Sequence, residues 1–201
     1  MNAKPEFIIC KDLDNARNWS VYHKDSQISD IRVLPLNQTV AAFNSGTATW
    51  DISEINTTTF TPYFRDDYGA SFNADNIAYC FAPVANYSRF GIYEGNGSSD
   101  GPYVYLGFRP ALVIIRRIDG AEQWYFNDTS RDTFNVTGKS LRAQSTGAEA
   151  STGGSNSATW DMLSNGFKLR DSGVGTNASG GDYIYMAWAE NPFQANGGLA
   201  R

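Results

Sequence analysis

The chain contains itself twice. Residues 5–19 read PEFIICKDLDNARNW and residues 110–124 read PALVIIRRIDGAEQW. Laid together without a gap, Pro5 meets Pro110, Ile9 meets Ile114, Asp14 meets Asp119, Ala16 meets Ala121 and Trp19 meets Trp124. Ala48-Thr49-Trp50-Asp51 recurs as Ala158-Thr159-Trp160-Asp161, and IAYCFA (Ile77 to Ala82) matches IYMAWA (Ile184 to Ala189). The offsets are 105, 110 and 107, so the register drifts only by small loop insertions. Segments that recur in one order mark two copies of one folding unit. The division falls at residues 1–85 and 86–201, either as two units or packed as one continuous sandwich. Residues present in both copies read as architectural, and residues unique to one copy are the better functional candidates.

Each copy reads as short strands. Apolar runs alternate with polar residues and end in Gly, Asn and Asp, while helical periodicity is nearly absent. Phe7 to Lys11 predicts a strand, Asp14-Asn15 a turn, and Trp19 to His23 the return. Leu112 to Ile118, Asp119-Gly120 and Gln123 to Asn127 repeat that plan, with Asp-Gly a strong hairpin signal. Gly166 to Leu169, Tyr183 to Ala189 and Asn76 to Ala82 predict further strands. Evenly spaced strands with Gly-rich turns predict an all-β antiparallel sandwich or jelly roll. Two small, polar stretches, Ser145 to Ala158 and Asp171 to Gly181, read as mobile loops. The second copy opens with Gly91 to Phe108, which has no counterpart before Pro5. The first copy is therefore short of strands, and a neighbouring chain could supply its edge.

A formal charge of −5 and a pI near 4.8 argue against nucleic acid, which demands a basic face, and against anionic membrane surfaces. The apolar runs, Leu112 to Ile115 among them, are far too short to span a bilayer, and no secretory signal is visible. Cys10 and Cys80 lie inside apolar segments and read as buried thiols. Synthesis in a cytoplasm fits this inventory, without excluding later life in an extracellular particle.

Tyr93 to Ala111 (YEGNGSSDGPYVYLGFRPA), the apolar strand and Trp124 after it, Leu163 to Arg170 (LSNGFKLR) and Tyr183 to Phe193 (YIYMAWAENPF) together resemble a domain of virion proteins from marine tailed phages. Such domains resemble concanavalin A-like or laminin G-like sandwiches and occur in tail-associated and other surface-exposed structural proteins. The resemblance implies membership of a virion, a sandwich fold and neighbouring virion proteins as partners. It supplies no ligand and no catalytic residue.

The candidate chemistry is sparse. Five tryptophans suggest sugar stacking, yet Trp19 pairs with Trp124 and Trp50 with Trp160, and Trp188 replaces Phe81, which reads as core. Tyr103 and Tyr105 differ, because they share one face of the segment unique to the second copy, opposite Val104, Leu106 and Phe108. They are candidates for stacking on a sugar or on a partner chain. Glu94, Asn96, Ser98 and Asp100 line the adjoining EGNGSSD turn, an oxygen-rich loop without calcium-loop spacing. Asp12-Leu13-Asp14-Asn15 reads as a self-capping turn, and Asp66-Asp67 as a solvated loop. His23 is the sole histidine, with no nucleophile motif and too few thiols for zinc. Asp51 and Glu54, three apart on a strand, face opposite ways, which disfavours a glycosidase pair. Arg109, Arg116, Arg117 and Arg131 read as ties to carboxylates such as Asp119 and Asp132.

The expectation is a non-enzymatic virion component, without cofactor or metal, exposed on a tail or capsid. Its contact surface would be Tyr103, Tyr105 and the Glu94 to Asp100 loop, helped by Ser145 to Ala158. It would be a homo-oligomer that attaches to host glycans by avidity. The alternatives are a decoration or adaptor building block with no ligand, and, less favoured, a glycan depolymerase.

Overall fold

A computed structural model describes residues 3–26, 32–44, 50–51, 55–62, 73–152 and 158–192. Its strands are β1 (Phe7–Asp12), β2 (Ser20–His23), β3 (Arg32–Pro35), β4 (Phe43–Asn44), β5 (Trp50–Asp51), β6 (Thr61–Pro62), β7 (Asn76–Phe81) and β8 (Ser88–Glu94). They continue as β9 (Tyr103–Tyr105), β10 (Pro110–Arg117), β11 (Trp124–Asp128), β12 (Leu141–Arg142), β13 (Trp160–Leu163), β14 (Gly166–Leu169) and β15 (Asp182–Ala189). Among the described residues the sole helical element is one 3-10 turn, Lys24–Ser26. The fold is all-β, and every strand pairing is antiparallel.

Three sheets stack. The first runs β4-β3-β2-β1-β7, the central one β12-β11-β10-β15-β8, and the third β13-β14-β9, with β5-β6 as a separate pair. Strand alternation sends Val113, Ile115, Tyr125, Tyr183, Tyr185 and Ala187 to one face of the central sheet, where they meet Val104, Trp160, Met162, Phe167 and Leu169 of the third. Ile114, Trp124, Ile184 and Met186 go to the other face and meet Phe7, Val21 and Leu34 of the first sheet. A sheet buried on both faces needs apolar residues at every position. That is why β10 from Pro110 to Ile115 and β15 from Tyr183 to Ala189 read as apolar runs. The first sheet's far face is covered by Ile55 and Phe60, which pack on Ile8, Cys10 and Tyr22.

The tryptophans divide. Trp124 and Trp160 are fully buried, and the Trp124 indole donates to the Pro35 carbonyl at 3.0 Å. Trp19 and Trp188 are only half-buried, Trp188 lying edge-on to Phe7, Phe81 and Phe90. Cys10 and Cys80 are both free thiols, the first buried and the second half-buried. Burial, and then the neighbouring Cys80, pushes the Cys10 thiol up to about 12. Thiolate chemistry is thereby suppressed at neutral pH.

Two local expectations give way to tertiary contacts. Asp119-Gly120 is not a two-residue hairpin turn: Arg116 pairs with Trp124, and Gly97, Gly107 and Gly180 hold the left-handed glycine conformations. The Arg117 guanidinium closes instead on Asp119 at 2.7 Å, and Asp119 accepts the Asp182 amide at 3.3 Å. The second correction is the segment 171–181, which is a docked loop with Thr176 and Asn177 fully buried. Asp171 accepts from the Thr159 amide at 2.7 Å and the Thr176 hydroxyl at 2.8 Å, and the Tyr93 and Tyr183 hydroxyls donate to the Thr176 and Val174 carbonyls. Segment 145–158 is likewise tied at Ala150, whose amide donates to Ser140, and at Glu149, paired with Arg131 at 2.6 Å. Residues 153–157 of that segment lie outside the described residues, as do Glu54 and Asp66-Asp67.

Candidate functional site

The third sheet turns Val104, Phe167 and Leu169 into the core and its opposite face to the surface. Tyr103 and Tyr105 project from β9 onto this outer face, 43% and 57% exposed. Gly166 pairs with Tyr105 and Lys168 with Tyr103. The missing side chain at Gly166 has a consequence. A Cβ there would collide with the Val104 carbonyl and sit 3.1 Å from the Tyr103 ring. The ring therefore lies across the glycine, and its hydroxyl donates to Asn165 Oδ1 at 2.7 Å. Tyr103 is thus an exposed ring with a fixed orientation. Tyr105 carries the Arg89 guanidinium 5.8 Å from its ring centre, a cation–π distance.

Beside the rings runs a row of alternating charge. Lys168 meets Asp100 at 2.9 Å, Arg170 meets Asp100 at 3.5 Å, and Arg170 meets Asp161 at 2.6 Å. The Lys168 hydrogen bond and charge, with help from Arg170, hold the Asp100 carboxyl below the usual carboxylate range. Asp100 thus joins the outer face of the sheet, next to Tyr103.

The rest of the EGNGSSD turn serves its own architecture. Asn96 Oδ1 accepts the Ser98 amide at 3.0 Å, Asn96 Nδ2 donates to the Asp100 carbonyl at 3.1 Å, and Ser98 Oγ accepts the Asp100 amide at 3.1 Å. Gly97 has φ 68°, which favours glycine. Glu94 is exposed at the end of β8. The loop is anchored by the fully buried Asn177. Its Oδ1 accepts the Asn96 amide at 2.8 Å, and its Nδ2 donates to the Ser98 and Asp171 carbonyls at 2.7 Å each. Sequence reasoning missed Asn177, because an asparagine in a small-residue, Gly-rich stretch looks like any solvated loop residue.

It also missed a hollow at the end of β9. A cavity of about 230 Å³ is lined by Asn86, Gly107, Phe108, Arg109, Ser164 and Asn191. A neighbouring hollow shares Asn86 and Phe108 and adds Arg89 and Leu106. Tyr105 lines neither hollow, but its hydroxyl lies 3.7 Å from where a Cβ on Gly107 of the first would stand, and its ring faces Arg89 of the second. Arg109 is held there by Glu190 at 2.8 Å and by the Met162 carbonyl at 3.0 Å. Asn86 adopts φ 60°, a left-handed conformation that asparagine tolerates better than most residues. That type at that position was the available signal.

The remaining candidates are architectural. Asp12, fully buried, accepts the Asp14 and Asn15 amides at 2.9 Å each and meets Arg17 at 3.1 Å, as a self-capping turn requires. His23 is fully buried; its Nδ1 accepts the Asp25 amide at 3.2 Å and its Nε2 lies 3.3 Å from the Tyr185 carbonyl. Of the four arginines, Arg117 pairs with Asp119, Arg131 with Asp128 and Glu149, and Arg109 with Glu190. Asp132 is not among their partners. It accepts the Gly138 and Lys139 amides at 2.8 and 3.2 Å, because the 132–139 loop turns its own backbone donors onto the carboxylate. Arg116 is fully buried beside Trp124, and its Nη2 donates to the Val40 carbonyl. Among the described residues, no group of three or more His, Cys, Asp or Glu is placed to hold a metal ion. No helix there is long and apolar enough to cross a membrane.

Compared with known proteins, no curated protein and no solved structure matches the chain. One family model does, over residues 1–192, and its span takes in the exposed tyrosines, the pinned loop and the hollow alike. The chain belongs to the family described as a domain of unknown function, DUF7483.

Proposed function

We propose that this protein is a non-enzymatic, surface-exposed structural component of a tailed-phage virion, and that the outer face of its third sheet contacts host-surface glycan. The observation that carries the glycan part is the ring pair: Tyr103, held against Gly166 by its hydroxyl's bond to Asn165, with Tyr105 beside it on the same exposed face, close to a polar hollow. Sugars present C–H faces to rings and hydroxyls to amides and guanidinium groups. The outer face and the hollow offer Tyr103, Tyr105, Asn86, Arg109, Ser164 and Asn191. The carboxylates of the charged row on this sheet, Asp100 and Asp161, are each ion-paired, which suits recognition better than proton transfer. The virion part rests on the resemblance of the Tyr93 to Ala111, Leu163 to Arg170 and Tyr183 to Phe193 segments.

The same reading takes the fold as a concanavalin A-like sandwich made by internal duplication, with halves at 1–85 and 86–201. Register supports it. Ile9 pairs with Val21 and Tyr79, and Ile114 with Phe126 and Met186. These are the same positions under the offsets of 105 and 107 seen in the sequence. A decoration or adaptor block without ligand is the second reading, favoured by β7, which among the described residues has a strand on one side only.

The test is binding of the purified chain to an array of bacterial surface polysaccharides, with and without EDTA. The wild type should bind saturably, and competition by free polysaccharide should remove the signal. Tyr103→Ala and Tyr105→Ala should each lose about 1 kcal/mol of contact, roughly fivefold in affinity. No binding by the wild type, or binding unchanged in the double variant, refutes the glycan face.

A further inference from the structure

We infer that the hollow lined by Arg89, next to Tyr105, is a subsite for an acidic sugar, whose singly charged carboxylate or sulfate ester pairs with that arginine. This rests on the glycan reading of the outer face and names the class of glycan that the face takes.

Charge singles out Arg89. Arg109, Arg117, Arg131, Arg170 and Lys168 each meet a carboxylate. Arg89 meets none among the described residues. Two other arginines share that state, but neither is placed to meet a ligand here. Arg116 is fully buried. Arg142 bonds the Gln123 amide oxygen at 3.1 Å and lines neither hollow. Arg89 is exposed, and it precedes Pro110 by more residues than the first copy has before Pro5, so it has no counterpart there.

The guanidinium is held in place by the fold itself. Arg89 pairs with Ala187 on β15, whose side chain belongs to the core under the third sheet. Paired residues share a face, so Arg89 rises from that side of the central sheet, at its β8 edge. There its Nη1 donates to the Leu106 carbonyl at 3.4 Å, and its centre stands 5.8 Å from the middle of the Tyr105 ring. A guanidinium over a ring keeps in-plane N–H groups for an oxyanion, and hydrogen bonds between ionised groups are roughly twice as strong as neutral ones.

The surroundings suit one acidic substituent. Arg89 lines a hollow of about 230 Å³ with Asn86, Ser88 and Phe108, and the adjoining hollow, of the same size, adds Arg109 and Ser164. Neither has an Asp or Glu among its described lining residues, and the Arg109 charge is already met by Glu190 at 2.8 Å. Arg89 is left as the uncompensated positive charge, in a chain whose formal charge is −5. Pockets that enclose a whole ligand run to roughly 300–1,000 Å³, so a hollow of this size takes one substituent of a longer chain. The outer face is polarised along its length. At the Tyr103 end, Asp100 and Asp161 balance Lys168 and Arg170. At the Tyr105 end the charge is positive. A glycan lying over both rings presents its acid at the Tyr105 end.

The test uses the array of bacterial surface polysaccharides and the full chain. Each polymer is presented in native form and after its acid is removed, by carboxyl reduction for uronates and by solvolytic desulfation for sulfate esters. Biolayer interferometry should show native acidic polymers binding about tenfold more tightly than their neutralised forms, with the preference shrinking as salt is raised. The treatment that removes the preference identifies the acid. Arg89→Gln, an exposed change that should leave the circular dichroism spectrum unaltered, should erase the preference and keep the affinity for neutralised polymers. A wild type that binds neutral polymers as tightly as acidic ones, or an acid preference that survives Arg89→Gln, overturns the inference and leaves the glycan face standing. A wild type that binds no polysaccharide overturns both.

Discussion

Acidification from pH 7.5 to pH 4 should remove roughly 3 kcal/mol of folding stability through one side chain, His23. Its imidazole is fully buried, and its Nδ1 already accepts the Asp25 amide, which fixes the neutral form with the proton on Nε2, toward the Tyr185 carbonyl. Charging the ring would set two donors against each other in a dry site. Desolvation is the largest cause of the depressed pKa, opposed by the Tyr185 carbonyl and assisted by Lys24, and the result is about 3 against an ordinary 6.5. The folded state therefore refuses a proton that the unfolded chain takes up below pH 6.5. The contribution is complete above pH 6.5 and is lost as pH falls toward 3, at about 1.4 kcal/mol per unit. Two and a half units give the stated figure, a large share of an ordinary domain's stability. Urea unfolding followed by tryptophan fluorescence at pH 7.5, 6, 5 and 4 measures it, on wild type and on His23→Gln. The glutamine keeps a donor for Tyr185 but does not titrate, and the carboxylates common to both proteins cancel in the difference. The two stability curves should converge by roughly 3 kcal/mol on acidification, with equal denaturant slopes. Parallel curves would refute the assignment of a buried neutral histidine.

Asn177→Ala should cost about 3 kcal/mol, because the Asn96 amide and the Ser98 and Asp171 carbonyls lose their partner; thermal melts read the loss, and hydrogen exchange should rise over residues 95–101. Gly166→Ala should cost about 2 kcal/mol by pushing β9 off β14, and an unchanged melt would mean that Val104 gives way freely. Arg116→Met should be neutral or stabilise by about 1 kcal/mol, since Arg116 Nε and Nη1 have no hydrogen-bond partner among the described residues; a loss of about 2 kcal/mol or more would make the guanidinium a net stabiliser.

Much of the strand plan was legible because β periodicity leaves a mark on every second residue. The alternation Tyr103 out, Val104 in, Tyr105 out, Leu106 in runs unbroken to Phe108, beyond the last ladder position of β9. The Asp12 turn was legible too, since a carboxylate that caps its own loop acts over three residues. The docked 171–181 loop was not. Its composition is that of a mobile linker, and its order comes from contacts that Asn177, Asp171 and Tyr183 make with residues up to 81 positions away. Of the candidate site, Tyr103, Tyr105 and Asp100 meet on one face. Asn96 and Ser98 serve the turn, while Asn86, Arg109, Ser164 and Asn191 gather from distant segments.

The sequence by itself determined the longer strands, their faces, and the parallel between Ile9 with its neighbours and Ile114 with its own. Those depend on side-chain alternation and on local turn chemistry. Only the tertiary structure decided that the central sheet is buried on both sides, that Tyr103 lies fixed over Gly166, and that β15 has a strand at its flank where β7 has none among the described residues. Stacking order and edge coverage join residues far apart in the chain. Apolar patterning says that a face must be covered, but not which sheet covers it.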